Sequence, residues 1–428
     1  MKFRGIGEGA LRFHVAAALV VFWAAVAANA AIAESALPVS AGFSREGLAR
    51  VSDYLRHEVA TGRIPGAVLL IQQHGRPVLF ENFGVRDVES NTPMTSDMIF
   101  RLYSMSKPVT SVAAMMLVDD GRLSLSDPLS KYIPAFADVK VGVEQHDDDG
   151  KIALVTEPLV RPITIEDLLR HTSGITYGFY GESPVRRLYA SSGLFDGDFD
   201  NAQLAERIAK LPLAEQPGTL WDYGHSTDIL GRVIEVASGK SLFEFEKERL
   251  LDPLGMTDTA FHVDDSNRAR VVEPLPADRF HGSIAGLGDP VLRRRWESGG
   301  AGMVGTIGDF ARFAQMLLNG GVLDGRRYLK AETVALMTSD HVAMETKIAR
   351  DHYYFPSGDS GFGLGFAVRT IAMPPLPTGE YRWDGVGGTF FFIDPADDMF
   401  AICMMQSPSQ RGRIQIELKT LIYLALGR

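Results

Sequence analysis

A chain of 428 residues can bury an extensive core, and its 46% hydrophobic and 22% charged content argues against wholesale disorder and against an integral membrane protein. A formal net charge of −10 leaves no basic footprint for a nucleic-acid partner. The single cysteine, Cys403 in the apolar run Phe400-Ala401-Ile402-Cys403-Met404-Met405, excludes an internal disulfide and reads as a small core residue.

Residues 1–33 are a different kind of sequence. Lys2, Arg4 and Arg12 precede an apolar run over residues 15–28, and small residues follow at Ala28-Asn29-Ala30-Ala31-Ile32-Ala33. This is the pattern of a secretory signal peptide; the run is short for a membrane span and lacks a basic stop signal. The protein is expected to be exported, periplasmic or secreted, with no stable membrane insertion after cleavage.

From Ser44, apolar Leu48, Val51, Leu55 and Val59 recur at helical spacing up to Gly62, predicting an amphipathic helix over residues 44–60. Residues 67–72 and 78–83 flank His74-Gly75-Arg76 and predict a hairpin. The next segment, Leu102-Tyr103-Ser104-Met105-Ser106-Lys107-Pro108, opens an apolar helix that Gly121 can close.

Residues 125–290 carry mainly helical patterns punctuated by Pro and Gly. Thr164-Ile165-Glu166-Asp167 resembles a capping box, and a helix is expected from Ser226 or Thr227 to Gly239. The charge run from Glu144 to Gly150 reads as a solvated loop. Near the end, residues 389–393 and 399–405 flank Asp394-Pro395-Ala396-Asp397-Asp398 as a second hairpin, and Ile414, Leu418, Leu421, Ile422 and Ala425 mark a closing helix. The fold predicted is α+β: an antiparallel sheet flanked by the two terminal helices. Residues 34–124 and 291–428 would form the sheet-containing domain, and 125–290 a mainly helical insertion.

Three stretches could carry chemistry. Ser104 and Lys107 stand three apart, on one face if a helix begins there, so the amine can reach the hydroxyl and activate it when burial holds it partly neutral. Taken alone, a pattern fixing two residues arises by chance about once in a chain this long, and a helix-capping serine with an exposed lysine fits equally. Tyr223, in Trp221-Asp222-Tyr223-Gly224-His225-Ser226, precedes a helix and could carry a second proton, or be a tyrosine packed at a seam. Tyr381-Arg382-Trp383-Asp384-Gly385-Val386-Gly387-Gly388-Thr389 leads with its glycines into a strand, where the amide of Val386 could join that of Ser104 on an oxyanion; a bulge or tight turn accounts for it as well.

Together these stretches resemble the serine β-lactamase and penicillin-binding protein superfamily: S-x-x-K at Ser104–Lys107, then Tyr223-Gly224-His225, then Trp383-Asp384-Gly385. His171-Thr172-Ser173-Gly174 and Gly299-Gly300-Ala301-Gly302 follow the same order. The tyrosine places the chain on the class C side, and the Trp383 form looks like the family VIII carboxylesterases. The resemblance implies a β-lactamase/transpeptidase-like fold, Ser104 as acylated nucleophile, Lys107 and Tyr223 sharing the proton work, and the backbone amides of Ser104 and Val386 as oxyanion hole. His225, Trp383 and Gly385 would contact substrate, and neither metal nor organic cofactor is implied.

Trp383 stands where the family has a lysine, so a carboxylate-binding cation is missing and an apolar or aromatic group is favoured. His225 replaces the usual Asn. His171 is expected to hold a helix end, and Tyr177, Phe179 and Tyr180 to line either the pocket or a packed loop. The expected activity is hydrolysis of small or medium carboxylic esters through an acyl-enzyme. The alternatives are a β-lactamase or D-amino-acid peptidase acting on amides, an acyltransferase, and, from another class, a binding protein that keeps the fold without the reaction.

Overall fold

A computed structural model of the protein describes residues 42–146, 152–195, 198–278, 289–351 and 353–427. The expected signal peptide lies outside the described residues. Helix α1, Arg45–Ala60, begins where Ser44 caps it by accepting from the Gly47 amide at 3.0 Å. Strands β1 (Gly66–Gln73) and β2 (Arg76–Asp87) follow, joined at His74 and Gly75, both with positive φ, which suits a two-residue hairpin turn. Arg76, predicted in the turn, is the first residue of β2. A short β3 (Thr92–Pro93) completes this edge.

The remaining sheet strands come late in the chain: β4 (Ser360–Phe362), β5 (Ala367–Arg369), β6 (Tyr381–Asp384), β7 (Phe390–Asp394) and β8 (Met399–Met405). They form an eight-stranded sheet in the order β4-β5-β6-β7-β8-β1-β2-β3, with every neighbour antiparallel. The stretch Tyr381–Thr389, expected as a glycine-rich entry into a strand, carries a strand of its own before the turn, because Gly385–Thr389 turns back: Gly385 N–H donates to Thr389 O at 2.7 Å and Trp383 pairs with Phe391.

Alternate side chains of the central strands enter two cores. Ala67, Leu69, Ile71, Phe390, Phe392, Cys403 and Met405 face one side, under α1 and the closing helix (Arg411–Ala425). Val68, Leu70, Phe391, Ile393, Ile402 and Met404 face the larger core on the other. Burial on both faces explains why these strands read as unbroken apolar runs instead of alternating ones. The terminal helices lie close enough that a Cβ on Gly47 would fall 2.5 Å from Ala425 Cα.

Between the two halves of the sheet run the helices α2 (Ser106–Asp119), α3 (Ile165–Leu169) and α4 (Ser226–Ser238). The capping box on α3 forms, with Asp in the usual Glu place, and α4 ends on Gly239 in the left-handed region. An antiparallel hairpin, Lys140–His146 with Ile152–Pro158, also lies here. It takes in Glu144, Gln145 and His146, predicted as loop: charged side chains on an exposed strand mask its pattern, and backbone pairing forms it nonetheless. The remainder of that charge run lies outside the described residues. Among the described residues no helix is long and apolar enough to cross a membrane.

Candidate active site

Ser104 sits where the short strand Phe100–Arg101 gives way to α2, in a single 3-10 turn, Tyr103–Met105. Tyr103 holds φ at +47°, a left-handed conformation uncommon for a tyrosine, so the turn must be held by its surroundings. Ser106 Oγ supplies part of that restraint, donating to Tyr103 O at 2.7 Å and accepting from the Met303 amide at 3.0 Å. Residues Ser106 to Leu117 of α2 are all buried, which is why the helix is apolar on every face. Ser104 itself is half-buried.

One residue into α2, Lys107 is 1% exposed. Its Nζ lies 2.7 Å from Gly300 O, 3.3 Å from the Tyr177 hydroxyl and 3.4 Å from Ser104 Oγ, and 4.4 Å above the centre of the Tyr223 ring. Burial drives its pKa down from 10.5 to about 7, against the opposing pull of the Asp228 and Asp384 carboxylates. A lysine so placed is substantially neutral at physiological pH.

Tyr223 approaches from the segment between strand Leu220–Trp221 and α4. Tyr180 Oη shares its one proton between the Tyr223 backbone carbonyl and Asp222 Oδ1, the latter at 2.6 Å, and Arg186 Nη2 donates to Asp222 Oδ2 at 3.0 Å. The Tyr223 ring packs 4.9 Å from His171 and 5.5 Å from Trp383. Burial raises the phenol far above its ordinary pKa, while Ser104 and the Trp383 indole, which face it, act in the opposite direction. Among the described residues, neither the Tyr223 hydroxyl nor the Trp383 indole nitrogen completes a hydrogen bond.

The loop from Gly385 to Thr389 closes the other side. A Cβ on Gly385 would stand 2.3 Å from Leu102 O, and one on Gly387 2.6 Å from the Tyr103 ring, so only glycines let this backbone reach the Ser104 turn. Thr389 Oγ1 donates to Leu102 O at 3.3 Å, and half-buried Val386 lies between these anchors.

His225 is buried, with Nδ1 2.9 Å from Asp228 Oδ2 and Nε2 without a partner among the described residues. Tyr177, Phe179 and Phe195 stack beside it, Tyr177 edge-on at 4.5 Å and Phe195 at 5.1 Å. Phe179 is 59% exposed, so this aromatic wall reaches solvent. His171, with φ of +58°, follows the end of α3; its ring packs edge-on to Trp221 and Phe362, and burial together with Lys107 holds its pKa well below normal.

The structure thus brings Ser104, Lys107, Tyr223, Trp383 and the Gly385 loop together from distant parts of the chain. Sequence reasoning missed the Tyr177 hydroxyl and Gly300 carbonyl as partners of Lys107, and Asp228 as the carboxylate between His225 and Gly300. The last had a visible signal, since Asp228 stands three residues after His225 on one helical face. Among the described residues no group of three or more His, Cys, Asp or Glu side chains is placed to hold a metal ion.

The family model described as Beta-lactamase matches residues 51–423. Lovastatin esterase of Penicillium rubens is 36% identical over 376 residues, covering 82% of this chain and 90% of that protein. Esterase EstB of Burkholderia gladioli is 29% identical over 390 residues, covering 84% and 91%. Among solved structures, EstCE1, a hydrolase with promiscuous acyltransferase activity, superposes with a TM-score of 0.71 at 27% identity, covering 88% of this chain and 99% of its own.

Proposed function

The chain belongs to the Beta-lactamase family, and from that premise we propose that it is an exported serine esterase that cleaves small or medium carboxylic esters through an acyl-enzyme on Ser104. The observation that carries this reading is the neutral-poised Lys107 amine 3.4 Å from Ser104 Oγ in a buried site. Lys107 accepts the Ser104 proton as Oγ bonds to the ester carbonyl carbon, and the amides of Ser104 and Val386 receive the developing oxyanion. Tyr223, over which the lysine sits, passes a proton to the departing alkoxide. Water then attacks the acyl-enzyme by the reverse proton path, releasing the acid and restoring Ser104.

Trp383 directs the choice of substrate. Its indole, where a cation would bind a substrate carboxylate, offers an N–H donor and an apolar face, which favours uncharged esters over β-lactam acids. The aromatic wall of Tyr177, Phe179 and Phe195 can seat an alcohol, so interception of the acyl-enzyme by an alcohol is the second reading. The acyltransferase activity described for EstCE1 supports it.

The test is turnover of p-nitrophenyl acetate and butyrate beside nitrocefin. The expected result is ester cleavage well above nitrocefin cleavage, and loss of at least about 10³-fold on Ser104→Ala with the fold retained. Unchanged ester turnover in Ser104→Ala would refute the assignment.

A further inference from the structure

Lys107 can act as a base only if its lone pair faces Ser104. A neutral amine has two N–H donors and one lone pair, and three oxygens lie around Nζ. The closest, Gly300 O at 2.7 Å, can only accept. With one proton given to it and the other to the Tyr177 hydroxyl, the lone pair is left for the Ser104 hydroxyl. The Gly300 carbonyl therefore orients the base, and whatever fixes that carbonyl controls the dyad.

Asp228 fixes it. The Gly300 amide donates to Asp228 Oδ1 at 3.1 Å, Ser298 Oγ donates to the same oxygen at 2.6 Å, and His225 Nδ1 meets Oδ2 at 2.9 Å. A Cβ on residue 300 would fall 2.9 Å from Oδ2, so glycine is required for the carboxylate to sit here. The preceding carbonyl, Gly299 O, accepts from Thr110 Oγ1 at 3.0 Å. Thr110 Oγ1 also lies 3.1 Å from Glu246 Oε1, and burial pushes that carboxyl well above its usual pKa, so a protonated Glu246 can donate to Thr110 while Thr110 donates to Gly299 O.

We propose that Asp228 is a positioning residue for the Ser104–Lys107 dyad, holding the Gly300 carbonyl that aims the Lys107 lone pair and setting, by its charge, the pH at which the amine becomes a base. This rests on the serine-hydrolase reading of the site. Asp228 makes no hydrogen bond to Ser104, and it acts through the backbone of Gly300.

The other groups facing Lys107 are accounted for. Asp384, from β6, also favours the protonated amine, with Arg411 3.8 Å away to offset part of its charge. Tyr177 and Tyr223 are neutral phenols, since burial raises both, and His171 is held neutral by burial. Burial of Asp228 opposes its ionisation, but hydrogen bonds from His225 and Ser298 and the Lys107 charge outweigh this and hold it below its usual value.

The experiment follows the rate of Ser104 modification by a fluorophosphonate as a function of pH, in the full chain, for wild type and Asp228→Asn. Asparagine can still accept from Ser298 and Gly300 and can donate to His225 Nδ1, so shape is kept and charge is lost. The acid limb of the rate profile should fall by roughly one pH unit, because the charge that favours protonated Lys107 is gone, and the plateau rate should drop about tenfold. An unmoved or raised limb, or a plateau equal to wild type, overturns the proposal; a carboxylate of purely structural importance would lower the rate without moving the limb.

Ser298→Ala keeps the charge and removes one donor, so its limb should stay or rise, and a fall would overturn the proposal even if Asp228→Asn did not fold. Wild-type protein that takes no label at Ser104 refutes the hydrolase reading and this inference with it. Labelled wild type with an unmoved limb in Asp228→Asn refutes the inference alone.

Discussion

Replacing Lys107 by methionine should make the protein more stable and inactive at once. The folded chain lowers this amine from 10.5 to about 7, which corresponds to about 5 kcal/mol of unfavourable free energy at neutral pH. Methionine fills similar volume without that cost, but it leaves Gly300 O, now 2.7 Å from a donor, without one, a loss of about 1–3 kcal/mol. The net gain is about 2–4 kcal/mol, or a melting temperature higher by roughly 3 °C in a protein of this size.

The sign of the pH dependence follows from proton binding. Between about pH 7 and 10.5 the unfolded chain keeps the Lys107 proton while the folded chain has released it, so wild-type stability from this group rises with pH across that window. The penalty is complete below about pH 7 and gone above about 10.5. Lys107→Met should therefore show its largest advantage at pH 6–7 and a shrinking one toward pH 10, by differential scanning calorimetry. Ester turnover of wild type should rise through pH 7 and be absent in the variant. A lower melting temperature for Lys107→Met at pH 7, or an advantage that does not narrow with pH, would refute a neutral-poised lysine.

Two further predictions concern the frame of the site. Gly385→Ala places a methyl 2.3 Å from Leu102 O and 2.5 Å from Thr389 Oγ1, so the loop must withdraw from the nucleophile turn; kcat/KM for p-nitrophenyl butyrate should fall at least about tenfold, with about 1–3 kcal/mol lost in urea unfolding, and wild-type values in both would disprove the close approach. Glu380→Ala leaves Arg369, Arg382 and Lys419 buried around a missing carboxylate, with Lys419 Nζ losing its 2.8 Å partner; about 3–5 kcal/mol should be lost in the same urea assay, and a loss under about 1 kcal/mol would show that the cluster is compensated elsewhere.

Much of the frame is local and legible in the chain itself. The caps at Ser44 and Thr164, the stop at Gly239, the hairpin around His74 and the helix after Ser104 are set by neighbours a few residues away, and the structure places them within a residue or two. Less legible were features that depend on pairing partners. Glu144 and Gln145 join a strand because their backbone meets Ala153 and Leu154, and the run from Trp383 divides because Gly385 bonds to Thr389.

The sequence by itself determined the nucleophile candidate, its lysine and its tyrosine, through motifs whose order and spacing agree with a family pattern. Only the tertiary structure decided what those residues are chemically. The Lys107 pKa depends on burial and on charges as far along the chain as Asp384, and the direction of its lone pair depends on Gly300, held in turn by Asp228. Helix periodicity is carried by nearest neighbours and can be read along the chain. Desolvation and hydrogen-bond direction belong to the space between segments, and they exist only once the chain has closed around them.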